Sequence, residues 1–133
     1  WRLKRFVHQL GETPDARNAG WQSRFGRPEK ARLYGDAFRA QMLGVDSHEL
    51  LFARYREAEA ADFLDKVLYS DVTTYLPDCL LVKVDIATMA NSLEARSPFL
   101  DHTLMEFAAQ LPTNVKIRNG QSKWILKRAL RDG

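Results

Sequence analysis

Asp62-Phe63-Leu64-Asp65-Lys66-Val67-Leu68-Tyr69-Ser70-Asp71-Val72-Thr73-Thr74-Tyr75-Leu76 is the stretch that decides the fold class. Phe63, Val67, Leu68, Val72 and Tyr75 recur at helical spacing and lay an apolar stripe along one face. Pro77 follows, and the residue before a proline resists helical geometry, so the helix is expected to end at Leu76. Asp78 is then expected to cap residues 79–85, with a short helix over about 86–93.

The same reading extends in both directions. Residues 1–10 carry Leu3, Phe6, Val7 and Leu10 at helical spacing, with Gly11 as a stop. Residues 20–26 read as a loop with Trp21 and Phe25 tucked inward. Pro28 suits a first helical turn, and Glu29 adds favourable charge there; that helix is expected to reach about Leu43 before Gly44. Asp46 and Glu49 form a capping-box-like pair ahead of a helix over 47–58. Pro98 is expected to open a helix through about Leu111. Asn119-Gly120 is a turn, Ser122 an N-cap, and 123–131 a last helix burying Ile125, Leu126, Ala129 and Leu130. Only Val115 to Ile117 hints at a strand. The chain therefore reads as all-α, an irregular bundle of about six to eight helices.

The 133 residues are 45% hydrophobic and 28% charged, which suits one modest core. No apolar run approaches the roughly 20 residues needed to span a bilayer, and no signal peptide is visible, so no membrane partner is expected. Cys79 is the single cysteine. One thiol forms no internal disulfide, and a reducing, cytoplasmic setting is expected. His8, His48 and His102 lack metal-ligand spacing, so no metal site is expected. The net charge of +3 raises nucleic acid as a partner; the interleaving of Lys and Arg with Asp and Glu argues against it. The missing initiator Met, and a C-terminus at Arg131-Asp132-Gly133 where a helix should be ending, are read as a piece of something longer. Trp1, Trp21 and Trp124 are single aromatics that read as core or interface anchors and not as a base-stacking platform. At the cut ends of such a piece they would be exposed, and pairing of two copies through those surfaces is an expectation.

The richest chemistry lies in two adjacent runs. Tyr75-Leu76-Pro77-Asp78-Cys79-Leu80-Leu81-Val82-Lys83-Val84-Asp85 is followed by Leu93-Glu94-Ala95-Arg96-Ser97-Pro98-Phe99-Leu100-Asp101. Lys83, Asp85, Glu94, Arg96 and Asp101 are embedded in apolar sequence. Charges so placed are expected to be partly buried and therefore paired. They fit either a structural salt-bridge network or one side of a cleft. Later, Gly120-Gln121-Ser122-Lys123-Trp124-Ile125-Leu126-Lys127 opens a basic helix.

These three runs, in this order, resemble the signature of the C-terminal synthetase domain of asparagine synthetases and their amidotransferase relatives. That family shows a Tyr-Leu-Pro-Asp-x-Leu-Leu-x-Lys-x-Asp stretch, a Leu-Glu-x-Arg-x-Pro-Phe-Leu-Asp run, and a Gly-x-x-Lys-aromatic-Leu-Leu-Lys helix. The resemblance covers residues 75–131 closely and residues 1–74 loosely. It implies a helical portion of a larger α/β ATP-pyrophosphatase-type domain. It further implies an ATP- and Mg²⁺-dependent ligase that adenylates a carboxylate, usually that of aspartate, and aminates it with ammonia released from glutamine. Relatives with this signature also amidate sugars or close lactam rings.

On that resemblance Glu94 is the candidate catalytic carboxylate, orienting the amine or taking up its proton. Arg96 holds Glu94 or an anionic group. Asp101 fixes the Pro98 loop through backbone or Arg96 hydrogen bonds, while Lys83 and Asp85 either face the cleft or pair with each other. Lys123 and Lys127, with Arg131, form a basic stripe that attracts phosphate or simply faces solvent. Two family parts are missing. There is no Ser-Gly-Gly-x-Asp-Ser loop to cradle pyrophosphate, and no N-terminal glutaminase cysteine; Cys79, mid-chain, is read as incidental. The chain alone is thus expected neither to bind ATP tightly nor to turn over. The alternative is a helical interaction module derived from such a domain.

Overall fold

The computed structural model describes residues 6, 7 and 10–132, with the side chains of Arg27 and Asp132 left aside. Most of the expected helix over 1–10 lies outside these residues. The described chain is predominantly α-helical, as its periodicity implied, and divides into two units at Glu59 and Ala60.

The first unit contains α1 (Pro14–Gln22), α2 (Arg27–Leu33), α3 (Asp36–Gln41) and α4 (Glu49–Glu57). Pro14 and Pro28 both fall in first turns, where a missing N–H costs nothing. The single helix expected from Pro28 to Leu43 is in fact two, broken at Tyr34-Gly35. Arg39 bridges the break, donating to the carbonyls of Ala31 at 2.7 Å and Tyr34 at 3.1 Å. Gly44 ends this region with φ +81°, a left-handed geometry that glycine adopts without strain. The expected capping box at Asp46 does not form: the Asp46 carboxylate accepts instead from the His48 N–H at 3.1 Å.

Helices α1 and α4 pack together and enclose the only buried hydrophobic residues among those described, Ala19, Tyr55 and Ala58. Asn18 donates to the Tyr55 hydroxyl at 2.6 Å, which satisfies the one polar atom that burying a tyrosine brings inside. Ser23 donates to the Ala19 carbonyl at 2.9 Å, leaving its oxygen to accept from His48 Nε2 at 2.7 Å. Trp21 and Phe25, expected inward, are exposed, and Trp21 sits in the last turn of α1 rather than in a loop.

The second unit is organised by one long helical run. α5 (Phe63–Ser70) passes into a π-helical stretch (Asp71–Leu81) and then into α6 (Val82–Met89). Pro77 therefore does not end the helix. In an α-helix its ring would clash with the carbonyl four residues back. The wider i→i+5 register takes that carbonyl out of line, and the helix runs on. Thr73 donates to the Tyr69 carbonyl at 2.9 Å and Thr74 to that of Ser70 at 2.7 Å, supplying donors where the register changes.

A 3₁₀ turn (Pro98–Leu100), α7 (His102–Gln110) and α8 (Thr113–Lys116) follow. Lys116 reaches back to α5, donating to Asp65 at 2.6 Å and to the Ala109 carbonyl at 3.0 Å, while Thr113 donates to Asp62 at 2.6 Å. The strands β1 (Ile117–Arg118) and β2 (Gln121–Ser122) form a minimal hairpin, pairing Ile117 with Ser122 and Arg118 with Gln121. Asn119 and Gly120 close it with φ +50° and +73°, the left-handed pair that matches strand twist. α9 (Trp124–Asp132) is last. Ser122 is thus a strand residue and not a cap.

Among the described residues of this unit only Ser70 and Thr74 are buried, and both are polar. No helix of the described residues is long and apolar enough to cross a membrane.

Candidate functional site

The loop carrying Glu94 is set by how α6 ends. Ser92 takes φ +55°, and the Leu93 N–H returns to the Thr88 carbonyl at 3.0 Å, with Ser92 N–H on Met89 at 3.0 Å. This is a left-handed helix stop in which serine stands where glycine usually does. Residues 93–97 then run outside any helix or strand. Within them Glu94 and Arg96 meet, Arg96 Nε donating to Glu94 Oε1 at 2.8 Å.

The pair is open to solvent, Glu94 at 68% and Arg96 at 84% side-chain exposure. An exposed pair contributes at most about 1 kcal/mol, so it does not hold the fold together. It leaves Glu94 Oε2 available to a ligand. The expected burial of the five signature charges is therefore wrong. Lys83, Asp85, Glu94, Arg96 and Asp101 are all exposed, as are their apolar neighbours Val84, Ile86, Met89, Leu93 and Phe99. The sequence rule assumed that apolar neighbours imply a covering layer, and among the described residues none packs over α6 and its loop.

Lys83 and Asp85 do not pair with each other, because helix positions two apart point in different directions. Asp101 caps α7, accepting from the Leu104 N–H at 3.2 Å. It does not engage Arg96. That cap holds the far end of the Glu94 loop and is worth about 1 kcal/mol.

Lys123 precedes α9 with φ +56° and so stands outside the helix. The stripe expected from Lys123 through Lys127 to Arg131 is displaced. On α9 the residues at helical spacing are Trp124, Lys127, Arg128 and Arg131, and Arg118 of the hairpin lies 4.6 Å over the Trp124 ring. Sequence reading missed this arginine–tryptophan stack. Its signal was the Asn-Gly hairpin, which returns the strand carrying Arg118 to the start of α9. No hydrogen bond or ion pair joins Lys123 or Lys127 to Glu94 or Arg96 among the described residues. No group of His, Cys, Asp and Glu among them could hold a metal ion, and Cys79 is exposed.

The asparagine synthase family model matches residues 2–132. This chain belongs to the asparagine synthase family. It is similar to asparagine synthetase [glutamine-hydrolyzing] 1 of Bacillus subtilis strain 168, with 30% identity over 104 residues, 74% of this chain and 16% of that protein. A putative asparagine synthetase [glutamine-hydrolyzing] of Mycobacterium tuberculosis strain H37Rv is 42% identical over 76 residues, 57% of this chain and 12% of its own length. The asparagine synthetase of Gallus gallus is 36% identical over 75 residues, 56% of this chain and 12% of that protein. The chain thus spans less than a fifth of the length of these relatives. No solved structure matches it.

Proposed function

We propose that this chain forms one helical wall of the active site of an ATP-dependent, glutamine-hydrolysing ligase that adenylates the side-chain carboxylate of aspartate and aminates it. Family membership over residues 2–132 supports a ligase of the amidotransferase type. The observation that carries the residue-level reading is the open Glu94–Arg96 pair. Arg96 fixes one oxygen of Glu94, and the other points to no partner. Such a carboxylate can accept the proton that an attacking amine sheds as the carbon–nitrogen bond forms and the adenylate leaves. Lys123 and Lys127 are proposed to draw phosphate toward this wall, while Lys83 and Asp85 line it.

The described residues do not fit a complete ATP and Mg²⁺ site. They supply no glycine-rich phosphate cradle and no carboxylate group of the kind Mg²⁺ needs. On this reading nucleotide and metal binding belong to the larger enzyme. The chain by itself is then expected to show no micromolar affinity for ATP in calorimetry.

The deciding test uses the full-length enzyme carrying this segment. Glu94→Gln is expected to lower asparagine formation by about 100-fold or more, while aspartate-dependent pyrophosphate release continues. Unchanged amide formation would remove Glu94 from the chemistry. The exposed apolar residues along α6 and the Phe99 turn favour one second reading, a helical module that binds a protein partner. An enzyme with no aspartate-dependent pyrophosphate release, whose segment retains a partner, would support it.

A further inference from the structure

The Asn119-Gly120 turn combines features that no other asparagine of the chain has. Asn18, Asn91 and Asn114 precede Ala, Ser and Val, whose side chains crowd the next backbone nitrogen. Gly120 has no side chain, and no heavy atom beyond its chain neighbours lies within 4 Å of where one would begin. Both turn residues are exposed, and neither the Asn119 amide nor the Gly120 N–H has a hydrogen-bond partner among the described residues. The Gly120 nitrogen is thus a free nucleophile beside a carboxamide. Its attack on Asn119 Cγ forms a five-membered imide. The Cγ–Nδ2 bond breaks, and the side-chain nitrogen leaves as ammonia with the Gly120 proton. Water then opens the ring. Opening at Cγ leaves aspartate, and opening at the backbone carbonyl leaves isoaspartate, whose main chain is one carbon longer. One water enters and one ammonia leaves.

The folded turn opposes this step. With φ +50° and +73° the two residues form the mirror-image turn of a two-residue hairpin. Such a turn sets ψ of its first residue near about +30°, which holds the next nitrogen away from Cβ. Ring closure needs that nitrogen beside Cβ, so the turn must open first. The pairs Ile117 with Ser122 and Arg118 with Gln121 keep it shut, and a hairpin that short opens at little cost. We propose that Asn119 is a site of spontaneous deamidation gated by opening of this hairpin, and that its isoaspartyl product detaches Arg118 from Trp124. An Asp-Gly pair keeps the same turn. A main chain lengthened by one carbon does not keep the two-residue register. Arg118 then no longer returns to the indole it lies 4.6 Å above, and the new carboxylate competes for its guanidinium. This chemistry needs neither Glu94 nor the ligase reaction.

The test ages the full chain at mildly alkaline pH, with and without urea, and maps it by peptide mass spectrometry. Isoaspartate is counted by enzymatic methylation of its free α-carboxylate. Conversion is expected at Asn119 ahead of Asn18, Asn91 and Asn114, and about tenfold slower in the folded chain than in urea. Gln121→Pro removes the N–H that closes the turn and should bring the rate without urea to within about threefold of the rate in urea. Asn119→Gly keeps the turn without the amide and should show no product at that position. In the purified isoaspartyl form the Arg118 side-chain protons, shifted upfield by the indole, should move to unstructured positions; in Asn119→Asp they should stay. A folded chain that leaves Asn119 intact while the urea-treated chain converts overturns the site. Equal rates for the folded chain, the unfolded chain and Gln121→Pro overturn the gating. An isoaspartyl form that keeps the upfield Arg118 shift overturns the detachment.

Discussion

The two units differ in what they hide. The first buries Ala19, Tyr55 and Ala58 between α1 and α4 and satisfies the tyrosine hydroxyl with Asn18. The second, longer and richer in signature residues, buries only Ser70 and Thr74 among its described residues. Its long helix is tied to α8 by polar contacts, Lys116 to Asp65 and Thr113 to Asp62. A unit that cannot close its own core keeps apolar side chains outside, and here those side chains flank the candidate chemistry. The part most specific to the family is therefore the part least able to stand by packing alone.

Removing the core of the first unit should have the largest effect on stability. Tyr55→Ala is expected to cost about 3 kcal/mol in denaturant unfolding, through lost burial and an orphaned Asn18 amide. Phe99→Ala, an aromatic of similar size at 60% exposure, should cost less than about 0.5 kcal/mol. Equal costs would erase the contrast. Lys116→Ala comes next. Lys116 and Asp65 are 12% and 29% exposed, so the variant strands a part-buried carboxylate, at about 2 kcal/mol. Thermal unfolding of Lys116→Ala beside Lys116→Ala/Asp65→Leu tests this, since the double variant should recover part of the loss.

Ser70→Ala should go the other way. Ser70 is fully buried and its hydroxyl has no partner among the described residues, so its removal is expected to stabilise by about 1 kcal/mol. The smallest effect belongs to the first unit. The Thr13 hydroxyl donates to the Asp15 carboxylate and, against some desolvation, holds its pKa below the ordinary 3.8. A depressed carboxylate pKa stabilises above the unfolded value, and the gain is lost as pH falls through the folded value. Acid titration of Asp15→Asn should therefore show a slightly flatter loss of stability below about pH 4.

Much of the helical content was legible because spacing reports it directly: Phe63 to Tyr75, and Ile125 to Leu130, lie in helices where their stripes placed them, although Ile125, Ala129 and Leu130 are exposed and not buried as expected. The family resemblance was legible because the signature residues keep fixed spacings whatever covers them. Two misreadings share one cause. Pro77 reads as a stop because the rule for proline assumes an α register, and Ser92 does not read as one because the rule for left-handed stops expects glycine. The burial of Lys83, Asp85 and Glu94 was misjudged for another reason: neighbours in sequence do not say whether a second layer exists in space. The Arg118–Trp124 stack required three-dimensional closure of the hairpin, which the Asn-Gly pair announced without naming the partner.

The stretch from Asp71 to Leu81 has a directional consequence. Each of its turns holds about one residue more than an α turn, so side chains advance less around the axis per residue. Over its eleven residues the lag accumulates to roughly half a revolution. Val82 to Met89 therefore emerge out of phase with Phe63 to Ser70, and the headings of Lys83 and Asp85 are dialled in upstream. A change that let Pro77 revert to tighter winding would swing every signature residue on α6 to another compass bearing without altering one of them.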